Sequence, residues 1–177
     1  MTASQIDILK TALDWVKAEM FSSAFFAFFG LVFWLASYCF WQFGKTDTAK
    51  AYIIPLIVVG TLLVILGVGL VISNQWRLSG FPAAFQADAS QFIASELTRA
   101  EKTINGYQNA IYKVLPAIII LCGLLLLFLK SPIWQASLIA VTAMMAIILF
   151  VDTNATARLE IYQAKLIEAE QARAAEE

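Results

Sequence analysis

The stretch FSSAFFAFFGLVFWLASYCFWQF, residues 21–43, runs for 23 residues without a charge. A helix needs about 20 apolar residues to cross the roughly 30 Å hydrocarbon core of a bilayer, so this segment reads as a membrane span. Three more uncharged stretches follow: Ala51 to Asn74, Val114 to Leu129 and Pro132 to Val151. The chain is therefore expected to be an all-α integral membrane protein with four transmembrane helices. Composition points the same way, since 60% of the 177 residues are hydrophobic against about 45–50% in ordinary soluble domains.

What the stretches lack narrows the function. The net charge of -1 comes without the clustered Lys and Arg that nucleic-acid binding requires, so no nucleic-acid partner is expected. There is no histidine, and no span holds paired carboxylates. A metal centre or a Ser/Cys-His enzyme would lack its parts. We expect no catalytic residue, no metal and no cofactor. A proton-coupled transporter similar to the small four-span drug exporters would need a carboxylate inside its bundle. Asp152, at the end of the fourth span, is the nearest candidate, and it reads as a boundary residue turned to water. Cys39 and Cys122 lie inside spans and read as small packing residues.

With four spans both termini share a side, together with the connection between spans two and three. That side carries Lys10, Lys17, Arg77, Arg99, Lys102, Lys113, Arg158, Lys165 and Arg173, and the other only Lys45, Lys50 and Lys130. Positive residues hold loops in the cytoplasm. Both termini are thus expected inside, in the plasma (cytoplasmic) membrane, with short outer turns at residues 44–50 and 130–131.

The inner side shows helical periodicity. In residues 1–20, Ile6, Leu9, Leu13, Val16 and Met20 recur at steps of three and four opposite Asp7, Lys10, Asp14 and Lys17, and Ser4 with Asp7 resembles a capping box. This predicts an amphipathic interfacial helix lying on the membrane, with packing on another cytoplasmic helix as the alternative. After span two, Gly80-Phe81-Pro82 is expected to break the chain, and Asp88 with Gln91 to start a new helix. From there Ile93, Leu97, Ala100, Ile104, Tyr107 and Ile111 form an a/d stripe running into span three. Glu96, Arg99, Glu101 and Lys102 fall outside it, on what reads as a solvated face. Asn105-Gly106 is the expected weak point. Past span four, Ala155, Leu159, Tyr162 and Leu166 repeat the pattern. These extensions, within residues 75–113 and 152–177, have matched lengths and flank a two-residue turn. They are expected to pair as an antiparallel cytoplasmic hairpin attached to the four-span bundle of residues 21–151.

Within the spans, Ser23, Ala27, Gly30 and Ser37 share one helical face. Gly60 and Gly67 are seven apart, and Ala136, Ala140 and Ala143 form a comparable line. Small residues let helices approach closely in lipid, so these positions are candidate packing seams. Pro55 and Pro116 stand near the starts of their spans, where proline costs little. The few polar side chains at span depth, Ser37, Gln42, Thr61 and Gln135, are the candidate lining of a pore.

The functional expectation is a scaffold or accessory subunit that works through its cytoplasmic helices, as a homo-oligomer or with a partner membrane subunit, with the lipid bilayer as its surroundings. One alternative is a homo-oligomeric channel gated at a hydrophobic, aromatic constriction. Another is a small transporter without a proton-coupling carboxylate in its spans.

Overall fold

The computed structural model describes the backbone of residues 3–174 and the side chains of residues 7–172. Among them there is no strand. The elements are α1 (Ala3–Phe43), α2 (Asp47–Ala51), α3 (Ile53–Ala87), α4 (Ala89–Asn109), a π-helical turn (Ala110–Val114), α5 (Leu115–Phe128) and α6 (Pro132–Ala174). Four helical stretches are long and apolar enough to cross a membrane: Asp7–Phe43, Asp47–Ala87, Ala89–Phe128 and Pro132–Ala172. At 1.5 Å per residue each runs about 55 to 60 Å, nearly twice the thickness of a hydrocarbon core. In Asp7–Phe43, Ala89–Phe128 and Pro132–Ala172 the charges gather towards one end, whereas Asp47–Ala87 carries Asp47 and Lys50 at its start and Arg77 in its second half. The molecule thus has an apolar end and a charged end, built from the same helices.

At the apolar end the closest pair is α1 with α3. A Cβ built on Gly30 would lie 2.6 Å from the Gly60 carbonyl oxygen, and one on Gly67 would lie 2.6 Å from the Ala27 nitrogen. Only hydrogen fits at these crossings. Ser23 and Ser37 are buried on the same side of α1, and Ser37 donates to the Ile53 carbonyl at 2.8 Å. Helix α6 lies across the pair. Ala140 packs with Leu56 and Val59, and Val151 with Phe26 and Leu63, while Ala136 is fully buried and Ala143 half-buried. Helix α5 is peripheral. It packs on α6 and on the π turn before it, with no comparable contact to α1 or α3, and it leaves Leu121, Leu124, Leu127 and Phe128 exposed. Cys122 is buried, whereas Cys39 is exposed rather than packed.

At the charged end four helices share one core: Ala12, Trp15 and Val16 of α1, Phe81 and Phe85 of α3, Phe92, Ile93, Ala100 and Ile104 of α4, and Leu159, Tyr162 and Leu166 of α6. Leu97 and Tyr107 pack against it from their half-buried positions, and Ile111 and Ala155 are buried.

Several local expectations need correction. The N-terminal stripe is covered by protein, with Ala12 and Val16 fully buried and Leu9, Leu13 and Met20 packed against the core. Helix α1 runs unbroken into the apolar half, so this stripe faces helices rather than an open interface. Ser4 follows Ala3 inside the helix and so does not cap it; its side chain and that of Ile6 lie outside the described residues. Gly80-Phe81-Pro82 does not end α3. Proline removes the bond to one carbonyl four residues back, but Phe81 and Phe85 are anchored in the core on either side of it. The helix continues to Ala87, and Asp88 caps α4 by accepting from the Gln91 N–H at 2.9 Å. Asn105 and Gly106 lie inside regular α4. The irregularity comes one turn later, where the Leu115 N–H bonds the Ala110 carbonyl five residues back. Pro116 accounts for it, since its missing N–H breaks the i-4 ladder at that point and a π turn is a common adjustment. The connection between α1 and α3 holds a further short helix, α2, capped by the Thr46 hydroxyl, which accepts from the Ala49 N–H at 3.1 Å.

Candidate functional site

All four long helical rods bring ionisable side chains to the same buried place, α3 contributing Arg77 beside Asn74. On α4, Glu96 is only 5% exposed and takes two bonds from Arg99: Nε to Oε1 at 2.8 Å and Nη2 to Oε2 at 2.5 Å. From α6, Tyr162 donates its hydroxyl to Glu96 Oε2 at 3.1 Å. From α1, Trp15 stacks on the Tyr162 ring, with centroids 5.0 Å apart and planes 8° from parallel. The Arg99 guanidinium carbon stands 4.6 Å from the Trp15 ring centre, close enough for a cation–π attraction. The four groups close a ring of contacts across α1, α4 and α6. This corrects the solvated reading of Glu96 and Arg99. Their neighbours Glu101 and Lys102 are exposed.

A second group sits nearer the apolar end. Glu19 of α1 is 8% exposed. Its Oε2 accepts from Arg158 of α6 at 3.3 Å, and its Oε1 from the Tyr107 hydroxyl of α4 at 3.5 Å, a long contact. Arg158 also donates to Ser22 at 2.6 Å. On α3, Arg77 donates to the buried Asn74 at 3.0 Å. Between the two groups lies a cavity of about 170 Å³, bounded by Trp15, Glu19, Leu70, Asn74, Arg77, Arg99, Thr103, Tyr107 and Leu159.

Burial governs the protonation of this cluster. It raises the Tyr107 and Tyr162 hydroxyls above their ordinary range, with Glu19 and Glu96 adding to the effect, so both phenols stay neutral donors. Burial lowers Arg77, and the nearby Arg99 charge lowers it further. Arg99 also loses by burial, but the Glu96 carboxylate more than reverses that and holds it above its usual value.

Asp152 is not turned to water. It is half-buried, and burial first and the Glu19 charge second push its carboxyl up to about 6. An acid raised in the folded state binds more protons folded than unfolded between its two pKa values. Its ionisation therefore weakens the fold as pH rises from about 4 through about 6. Asp152→Asn is expected to raise the thermal unfolding midpoint at pH 7.5, and the gain should disappear by pH 4. An equal gain at both pH values would contradict this.

Of the expected pore-lining residues, Ser37 and Thr61 bond to neighbouring backbone carbonyls. The Thr61 hydroxyl donates to the Ile57 carbonyl at 2.8 Å and accepts from Trp34 at 3.2 Å. Gln42 is exposed and Gln135 half-buried. No cluster of His, Cys, Asp and Glu suited to a metal occurs among the described residues.

The polar cluster had a signal in the sequence. Phe92, Glu96, Arg99, Thr103 and Tyr107 form a second stripe at steps of four, three, four and four beside the apolar one. Glu19 follows Trp15 and Val16 at four and three, and Asn74 and Arg77 continue the line of Leu63, Gly67 and Leu70. Charges that keep the period of a buried face belong to that face.

Compared with protein-family models, curated proteins and solved structures, the chain matches none of them.

Proposed function

We propose that this is a multi-pass protein of the plasma membrane, with both termini in the cytoplasm, that serves as a scaffold or accessory subunit through its cytoplasmic helices. The observation that carries this reading is the shared core at the charged end. Helices that only had to anchor a chain could stop at the lipid surface. Here all four rods continue for several turns and bury aromatic and aliphatic side chains against one another, which makes a stable platform on the membrane. Ile161 and Ile167 of α6 stay exposed on that platform, at 63% and 41%, and give a partner apolar ground to cover. In the membrane, the exposed side of α5 is where a second copy or a partner subunit would pack.

Native mass spectrometry in detergent is expected to show a defined oligomer or a co-purifying subunit, and planar bilayers containing the protein should stay electrically silent. A strict monomer without companions would remove the scaffold reading. Unitary currents that change on substituting Gln42 or Ser37 would replace it with the channel.

A further inference from the structure

We propose that the 170 Å³ cavity between α1, α3 and α4 is a binding site for a phosphate group, either free or as a lipid headgroup. The argument begins with charge pairing on its wall. Three charged side chains line it: Glu19, Arg77 and Arg99. Glu19 accepts from Arg158 and Tyr107, and Arg99 is held by Glu96 through two bonds. Among the described residues Arg77 bonds only the neutral amide of Asn74, itself 2% exposed. This guanidinium makes no ion pair among the described residues. Its burial and the repulsion of Arg99 outweigh the smaller pull of the Glu96 and Glu19 carboxylates, so its charge is only partly compensated. An oxyanion between the two guanidinium groups relieves both costs, and the planar fork of arginine suits phosphate oxygens.

A second observation is independent of those charges. Trp15, which lines this cavity and also a pocket on the α6 side, has a buried indole N–H with no hydrogen-bond partner among the described residues, and the residue is only 7% exposed. Buried donors are seldom left unpaired. Asn74, Thr103 and Tyr107 supply further polar atoms around the space. The space is enough for a tetrahedral oxyanion with some water. The location suits a headgroup as well. Glu19, Arg77 and Tyr107 each stand within seven residues of an uncharged stretch, where lipid phosphates lie if those stretches span the bilayer.

The test uses full-length protein in an uncharged detergent and follows its thermal unfolding midpoint, since a ligand that binds only the folded state raises it. Inorganic phosphate is compared with chloride at equal ionic strength and pH, and dioctanoyl phosphatidic acid with dioctanoylglycerol. A saturable rise with both phosphate and phosphatidic acid identifies a free oxyanion site. A rise with phosphatidic acid alone identifies a lipid headgroup site. No rise with either overturns the proposal. Arg77→Gln is expected to weaken the apparent affinity about tenfold or more, whereas Lys102→Gln, at an exposed base on α4, should leave it unchanged. An undiminished response in R77Q places the anion elsewhere and also overturns the proposal. If R77Q does not fold, Arg77→Lys keeps the charge and loses the fork, and its response should be weaker than that of the parent protein; an equal response counts against the site. None of these outcomes depends on the scaffold reading.

Discussion

Gly67→Leu is expected to abolish the folded bundle. The first carbon of any side chain at this position would meet the Ala27 nitrogen at 2.6 Å and the Ser23 carbonyl oxygen at 2.9 Å. Both are backbone atoms of α1, so no rotamer change opens the space and the helices must separate. Overpacking a core costs about 1–3 kcal/mol where side chains can yield, and a clash between backbones lies at or above that range. Even Gly67→Ala should lower the unfolding midpoint. Gly69 is the control, because a Cβ there meets nothing within 4 Å. Gly69→Ala should be neutral or stabilising, given that alanine is better than glycine by about 1 kcal/mol in a helix interior. If the two alanine variants unfold at the same temperature, the close contact between α1 and α3 is not what holds them together.

The second large effect belongs to Glu96. Glu96→Ala removes the carboxylate that takes two bonds from Arg99 and one from Tyr162, leaving a buried guanidinium without its counter-charge. Removing one partner of a buried pair costs about 3–5 kcal/mol. The lower end applies here, because Arg99 keeps the face of Trp15 and 22% of its side chain exposed to solvent. Replacing both, Glu96→Leu with Arg99→Leu, should recover much of the loss, since an apolar pair of similar size needs no compensation. The double-mutant cycle in denaturant gives the coupling directly. A single-variant cost no greater than that of Glu101→Ala, at an exposed position on the same helix, would refute the buried pair.

These two predictions rest on features that the sequence reveals unequally. Gly30, Gly60 and Gly67 can be found by spacing, because small residues on one helical face are rare enough in a span to stand out. The stripe from Ile93 to Ile111 and its counterpart from Ala155 to Leu166 can be found because one apolar face alternates with a charged one. Glu96 and Arg99 escape that reading, since a charge off the main stripe is ordinarily solvated and only a neighbouring helix can change its surroundings. Here α1 and α6 do so with Trp15 and Tyr162. Pro82 misleads for a related reason: its local tendency to break a helix is outweighed by the tertiary anchoring of Phe81 and Phe85. The peripheral place of α5 has no pattern at all. Leu115 to Phe128 is apolar on every face, so nothing in it marks which side α6 covers.

The π turn at Ala110–Val114 has a geometric consequence for the rod that contains it. The buried and half-buried positions of α4 keep steps of three and four up to Tyr107, then run Ile111 and Leu115 at four and four, and Cys122 follows at seven. That is one residue too many for an uninterrupted seam. The wide turn takes up the surplus residue, and both halves of the rod meet α6 along a single line. A uniform α-helix of the same sequence would rotate one half against the other by about 100°. The turn therefore acts as a phase corrector, and the orientation of the apolar half can be set independently of the face that carries Glu96, Arg99 and Tyr107.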